Sequence, residues 1–376
     1  MRDMVVFGED WGRHPSSTQH LIKRLADEAQ IIWVNSLGLR RPRLSLTDFD
    51  RLRTKALSLA GGKRAAKKEA SGGSPFTAII HPRTIPWPGS RIAARFNRAS
   101  LHNQINPVMA AAKMTRPIVW TSLPTALPVV GALNEHALVY YAGDDFGALA
   151  GVDHGPVLVM EKQLAAKADL IIAASPQIAE RFPKNKTRVL PHGVDYVRFA
   201  GPVPRAADMP AGRPIAGFYG SISDWIDIDA IARAAASLPE WVFVLIGKID
   251  ADVSKLARYP NVHFLGPRLH EQLASYSQHW DVSLLPFKRS RQIDASNPLK
   301  LREYLAAGRP VLASYDFPAA LSFSDAVFIA DEGEAFSDAI LRAHADKRPK
   351  SFRQESVLLE SWDSRAATLK HWLNGL

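Results

Sequence analysis

Thirteen short apolar runs, each bounded by Gly, Pro or Asp and separated by stretches with helical spacing, restrict this chain more than any other feature. Strand-length runs that alternate with helices in this way build parallel sheets covered by helices, the α/β class. Seven runs lie in the first half, at residues 4–7, 31–34, 77–80, 118–121, 137–141, 170–174 and 187–190. Six follow, at 215–219, 242–246, 262–265, 282–286, 311–313 and 326–329. Between the two sets, residues 199–213 are rich in Pro, Gly and Ala and lack a periodic apolar face, which reads as a hinge. A length of 376 residues is ample for two domains. The expectation is one domain over 1–198, a second over 214–355 and a terminal helix over 356–376, where Val357, Leu358, Trp362, Ala366, Leu369 and Trp372 fall near helical spacing.

Charge is unevenly placed. Residues 1–200 carry 27 Lys and Arg against 16 Asp and Glu, whereas residues 201–376 carry 20 against 21. Between Arg40 and Arg98 alone there are 14 against 3. Such a patch attracts phosphate backbones, acidic lipid surfaces or phosphorylated ligands, and a merely soluble basic face is the plain alternative. Leu52, Leu57, Leu59, Trp87 and Phe96 are interleaved with these charges, which suits a membrane surface. Within this region, residues 51–74 read as a basic amphipathic stretch followed by a Gly/Ser-flanked linker.

Other features exclude whole classes. The chain has no cysteine, so disulfide frameworks and thiolate metal sites are excluded. The apolar core of the first strand ends at Gly8 before two acids, too soon for a signal peptide, so a cytoplasmic address is expected. The most apolar long stretch, 117–133, is broken by Pro124 and Pro128 and is shorter than the roughly 20 residues a spanning helix needs. No His-x-x-x-His spacing occurs, and neither a protein-held metal nor a cofactor is expected.

Five segments carry candidate chemistry. In SNPLKLREYLAAGRPVLA, Ser296, Asn297 and Pro298 make a helix start in which a side-chain oxygen can cap the first turn, and Gly308 ends the helix. Lys300 lies near the positive end and Glu303 one turn on, a cation for phosphate and a carboxylate for vicinal hydroxyls. An ordinary surface ion pair is the alternative. At the first strand of the second set, Gly220 and Ser221 form a candidate phosphate turn, although no G-x-G-x-x-G is present. His192 in LPHGVD stands where the two sets meet and can donate to a phosphate or a carbonyl. In the first set, VYYAGDD ends a strand in Asp144 and Asp145; ligands of open α/β sheets bind beyond strand carboxyl ends, so one of these acids is a candidate general base. A helix cap plus a solvent-facing acid is the plain reading. Asp10, Trp11, Arg13 and His14, after the first strand, offer stacking and polar contacts to an acceptor.

Taken in this order, LVYYAGDD, MEKQLAAKADLIIAASPQIAE, PHGVD, YGSISDW and NPLKLREY resemble the GT-B fold nucleotide-sugar glycosyltransferases over nearly the whole chain, and most of all the xanthan-type membrane-associated glucuronosyltransferases. The resemblance implies two Rossmann-like domains with parallel sheets facing across a deep cleft, and a C-terminal helix returning to the first domain. It implies an inverting, metal-independent transfer of a sugar from a nucleotide diphosphate sugar, UDP being placed ahead of GDP, to a membrane-associated, lipid-linked saccharide on the inner face of the cell membrane. By this likeness Asp144 is the base, with Asp145 as fallback; Gly220, Ser221, His192, Asn297, Leu299, Lys300 and Glu303 contact the donor; and Asp10, Trp11, Arg13 and His14 contact the acceptor. Retaining relatives carry paired glutamates eight positions apart, whereas eight residues before Glu303 stands Ala295, beside Asp294. The competing readings are a retaining GT-B enzyme on a soluble acceptor, a nicotinamide oxidoreductase lacking its glycine fingerprint, and a nucleic-acid-binding protein. No nucleic-acid partner is expected.

Overall fold

The computed structural model describes residues 1–12, 16–39, 74–149 and 152–376. Arg13, His14, Leu52, Leu57, Leu59 and most of the stretch from Arg40 to Arg98 lie outside the described residues. The chain forms two compact units: Met1–Leu190 with Ala366–Leu376, and Pro191–Arg365. Residues 199–213 belong to the second unit, with Phe199 and Met209 in its core.

The first unit is built on a seven-stranded, all-parallel sheet in the order β3-β2-β1-β4-β5-β6-β7. Its strands are β1 (Met4–Phe7), β2 (Ile31–Val34), β3 (Ala78–Ile80), β4 (Ile118–Thr121), β5 (Ala137–Ala142), β6 (Leu170–Ala173) and β7 (Thr187–Val189). The second unit repeats the winding with six strands, β10-β9-β8-β11-β12-β13, again all parallel. These are β8 (Ile215–Tyr219), β9 (Val242–Ile246), β10 (Val262–Phe264), β11 (Val282–Leu285), β12 (Val311–Ala313) and β13 (Val327–Ile329). All thirteen strands fall on the apolar runs, within one residue at either end. The reason is physical: a parallel strand covered on both faces needs apolar side chains throughout, as in the fully buried MVVF, IIWV and VFVLI. The edge strands β3, β7 and β10 are short and only partly buried.

In both units strand order reverses beside the first strand, between β1 and β4 and between β8 and β11. Crevices outside the carboxyl ends of the strands at such reversals are where open α/β sheets hold ligands. Inside β8, Gly217 is required by packing, because a Cβ there would come within 1.7 Å of the Trp280 ring.

The terminal helix is shorter than the spacing suggests. It runs Trp362–Asn374. Before it a 3-10 turn, Leu358–Glu360, leaves Leu358 49% exposed, and Ser361 bridges to Val194 instead of joining the helix. Its later residues are tied within the first unit: Lys370 pairs with Glu28 at 2.6 Å, and the Leu376 carbonyl lies 2.9 Å from His136 Nε2. No helix among the described residues is long and apolar enough to cross a membrane.

Candidate functional site

In the second unit the turn after β8 brings three segments together. Gly220 has φ of +135°, which L side chains rarely adopt, and a Cβ there would lie 3.1 Å from Lys300 Nζ. Gly247, after β9, presses on the same turn: a Cβ at this position would come within 1.9 Å of the Gly220 carbonyl oxygen. Ser221 donates its hydroxyl to Asp250 at 3.2 Å and accepts from Ser223.

Lys300 opens the helix Leu299–Ala307. Its ammonium is half-buried, 5.5 Å from the Phe218 ring centre and 5.6 Å from that of Phe287. Among the described residues it has no ion pair and no hydrogen bond. Removal from water lowers its pKa, and the Glu303 carboxylate pulls it back up. Leu299 is half-buried beside it.

The expected side-chain cap on this helix is not made. Pro298 is the N-cap residue, without a capping hydrogen bond. Asn297 instead accepts from the Arg302 guanidinium, and Ser296 donates to the Ile293 carbonyl at 2.8 Å, closing the preceding helix. The cause is Arg302 itself, 4% exposed, whose charge requires acceptors; Glu360 is the other. Among the described residues, Pro298 thus leaves the first turn of this helix without a side-chain cap. Gly308 ends the helix at φ of +79°, as its position implies.

Glu303 is 7% exposed and bonded at both oxygens, to the Tyr219 hydroxyl at 2.7 Å and to His270 Nε2 at 2.7 Å. His192 is held by its neighbours: Val194 donates to the Glu360 carbonyl, Trp362 donates back to Val194, and a Cβ on Gly193 would strike Trp362. Burial first, then the Arg302 and Arg365 guanidiniums, push the His192 pKa down to about 3, so the ring is neutral in any physiological buffer.

In the first unit the adjacent acids after β5 part company. Asp145 is 7% exposed, paired with Arg181 at 2.7 Å, and accepts from the Gly147 N–H at 2.9 Å. Arg181 also binds Glu161 at 2.5 Å, and Glu161 accepts from the Tyr140 hydroxyl, so Asp145 belongs to an interior polar cluster. Asp144 is exposed. Desolvation by the protein packed around this strand end, then the negative charge of Glu9, push its pKa up to about 6. Solvent weakens both contributions at an exposed carboxylate, and both still point upward.

Glu9 follows β1 and accepts from the Ser16 hydroxyl at 2.8 Å. Asp10 accepts from the Ser36 N–H at 3.2 Å, and Trp11 packs into an aromatic cluster with Phe76 at 4.5 Å and Trp33 at 5.4 Å. Part of Trp11 thus serves packing. The structure therefore brings Gly220, Ser221, Leu299, Lys300 and Glu303 to the strand ends of the second unit, and Asp10, Trp11 and Asp144 to those of the first. It places Asp145 in the interior and turns Asn297 toward Arg302.

Four contributors escaped sequence reasoning. Tyr219 and His270 flank Glu303, Arg302 takes Asn297, and Glu9 faces Asp144. Glu9 alone carried a local signal, being an acid directly after a first strand. Among the described residues no group of three or more His, Asp or Glu is placed to hold a metal ion.

Comparison with known proteins agrees with this architecture. Residues 213–346 match the family described as "Glycosyl transferases group 1". The chain is 26% identical over 299 residues to TuaH of Bacillus subtilis (strain 168), assigned as a teichuronic acid biosynthesis glycosyltransferase, covering 72% of this chain and 74% of that one. Among solved structures, sucrose-phosphate synthase of Thermosynechococcus elongatus superposes with a TM-score of 0.71 at 18% identity, covering 100% of this chain and 99% of that one. Anabaena HepE, solved in complex with UDP and glucose, gives 0.66 at 14% identity, covering 100% of both chains.

Proposed function

We propose that this chain, a glycosyltransferase of the GT-B fold, moves the sugar of a UDP-sugar onto a hydroxyl of a lipid-linked saccharide during polysaccharide assembly, with inversion at the anomeric carbon. The observation that carries the donor half is Lys300: a half-buried ammonium over the Gly220 turn that lacks a carboxylate partner among the described residues. A cation in that position is costly unless a ligand supplies the anion, and a diphosphate does so. The HepE complexes with UDP, and the polysaccharide role given to TuaH, support the choice of donor and pathway class.

In this reading the second unit holds the donor and Asp144 of the first unit acts on the acceptor. Asp144 takes the proton of the acceptor hydroxyl as its oxygen bonds to the anomeric carbon. The bond from that carbon to the β-phosphate oxygen breaks, and UDP leaves with one more negative charge. Lys300 and the first-turn N–H groups of Leu299–Ala307 meet that charge, so they stabilise the transition state more than the bound donor. The inverting course is supported by Asp294, the nearest acid to the position that retaining relatives fill. It accepts from the Tyr315 hydroxyl at 3.0 Å within a short helix.

The acceptor half rests on charge and exposure. From Ser71 to Asn134 there are 6 Lys and Arg and no Asp or Glu. Trp87 is 51%, Ile92 83% and Phe96 51% exposed there. Apolar side chains set among cations suit an anionic membrane surface, where each basic residue contributes about 1 kcal/mol.

Two experiments test the two halves. In calorimetric titration, UDP should bind more tightly than GDP, and Lys300→Met should weaken UDP by about 10- to 100-fold, the worth of one charge-assisted contact. Unchanged affinity would remove the donor assignment. Anomeric couplings in the product's proton NMR spectrum separate inversion from retention. For the acceptor half, the chain should sediment with anionic liposomes at low salt and much less at high salt. Equal sedimentation with neutral vesicles would remove the membrane assignment.

A further inference from the structure

Glu303 is held from two sides by residues far away in the chain. Tyr219, last in β8, donates its hydroxyl to Oε2 at 2.7 Å, and His270, in the loop after β10, lies 2.7 Å from Oε1 through its Nε2. A carboxylate oxygen can only accept, so Nε2 carries the hydrogen and the tautomer is fixed by the contact. Each partner is itself anchored. The Tyr219 N–H donates to the Tyr304 hydroxyl at 2.9 Å, and the His270 ring packs edge-on against Phe199 at 5.5 Å.

An ionised carboxylate offers roughly four acceptor positions. Two are taken here, and those left match in number what two neighbouring hydroxyls would donate to. The same helix carries Lys300 one turn earlier, so cation and carboxylate are neighbours on one helix face. Tyr219 is buried within the strand, whereas the His270 side chain keeps 22% of its surface. His270 is thus the partner that can be altered without opening the core.

We propose that His270 is a positioning residue for nucleoside recognition: by holding one Glu303 oxygen opposite the Tyr219 hydroxyl, it directs the remaining acceptor positions to the vicinal hydroxyls of a ribonucleoside diphosphate. The assignment rests on the donor reading of Lys300. It predicts that loss of His270 acts on the discrimination between ribose and deoxyribose and leaves phosphate binding intact.

The test is titration of UDP and 2′,3′-dideoxy-UDP against the full chain and three variants. The unaltered protein should prefer UDP by about 10- to 100-fold, as a site built to bond hydroxyls through a charged group does. His270→Ala should cut that preference at least about fivefold by weakening UDP alone, and His270→Gln, whose amide can still donate, should restore most of it. Glu303→Gln should reduce the preference as well. Equal weakening of both nucleotides in His270→Ala, or no change in either, overturns the proposal. So does a preference that survives Glu303→Gln, in which case the Lys300 donor site still stands. Failure of the unaltered chain to bind UDP removes both.

Discussion

The two units share one winding order and put opposite chemistry at the ends of their strands. Beyond β8 in the second unit stand a glycine turn, an ammonium and a carboxylate locked between Tyr219 and His270. Beyond β1 and β5 in the first stand four acids, Glu9, Asp10, Asp144 and Asp145, although this half of the chain carries the whole basic surplus. Topology decides where a ligand can sit; the few residues that follow each strand decide which ligand. In the proposed reading the second set of strand ends receives an anion and the first takes a proton.

Within the first unit the contrast sharpens to neighbouring residues. Asp144 and Asp145 share a peptide bond, yet one is exposed with its pKa pushed up and the other is buried against Arg181. Exchanging them should separate two kinds of damage. Asp144→Asn should lower kcat by about 10²- to 10⁴-fold, the usual worth of a positioned general base, while UDP affinity and thermal stability stay unchanged. Asp145→Ala removes one of the two carboxylates that Arg181 bonds and leaves the pair with Glu161, and should cost about 1 to 3 kcal/mol in chemical denaturation. If Asp145→Ala abolished turnover at unchanged stability while Asp144→Asn remained active, the roles would have to be reversed.

This pair also shows what a sequence can and cannot reveal here. Strand positions were legible because continuous apolar runs have few other uses; Asp144 followed from the rule that open sheets bind beyond their carboxyl edges, and Lys300 from its place in the first turn of a helix. The choice between Asp144 and Asp145 was not legible, since it is made by Arg181, 36 residues further on. The Asn297 cap failed for the same reason. Its oxygen is claimed by Arg302, a partner visible only once Glu360 and the buried guanidinium are in place. Glu303 was picked out by spacing from Lys300, while its clamp by Tyr219 and His270 depends on contacts across 84 and 33 residues. Local pattern fixes the scaffold, and distant charge decides the state of each site group.

The smallest expected effect bears on charge in the first unit. A carboxylate serves as base only when ionised, so with the Asp144 pKa pushed up to about 6, kcat/KM should fall as pH drops below 6 and level off above about 7. Crowding of the strand end by surrounding protein is the larger cause and Glu9 the second. Glu9→Gln removes the negative charge and leaves the packing, so the acid limb should move to lower pH by a few tenths to about one unit. His192 gives a control in the second unit. With its pKa held near 3 by burial and then by Arg302 and Arg365, it carries no charge on either side of pH 6, and His192→Gln should leave the limb where it is. A limb that moved with His192 and ignored Glu9 would place the titrating group in the second unit, and the division of labour between the two sets of strand ends would fail.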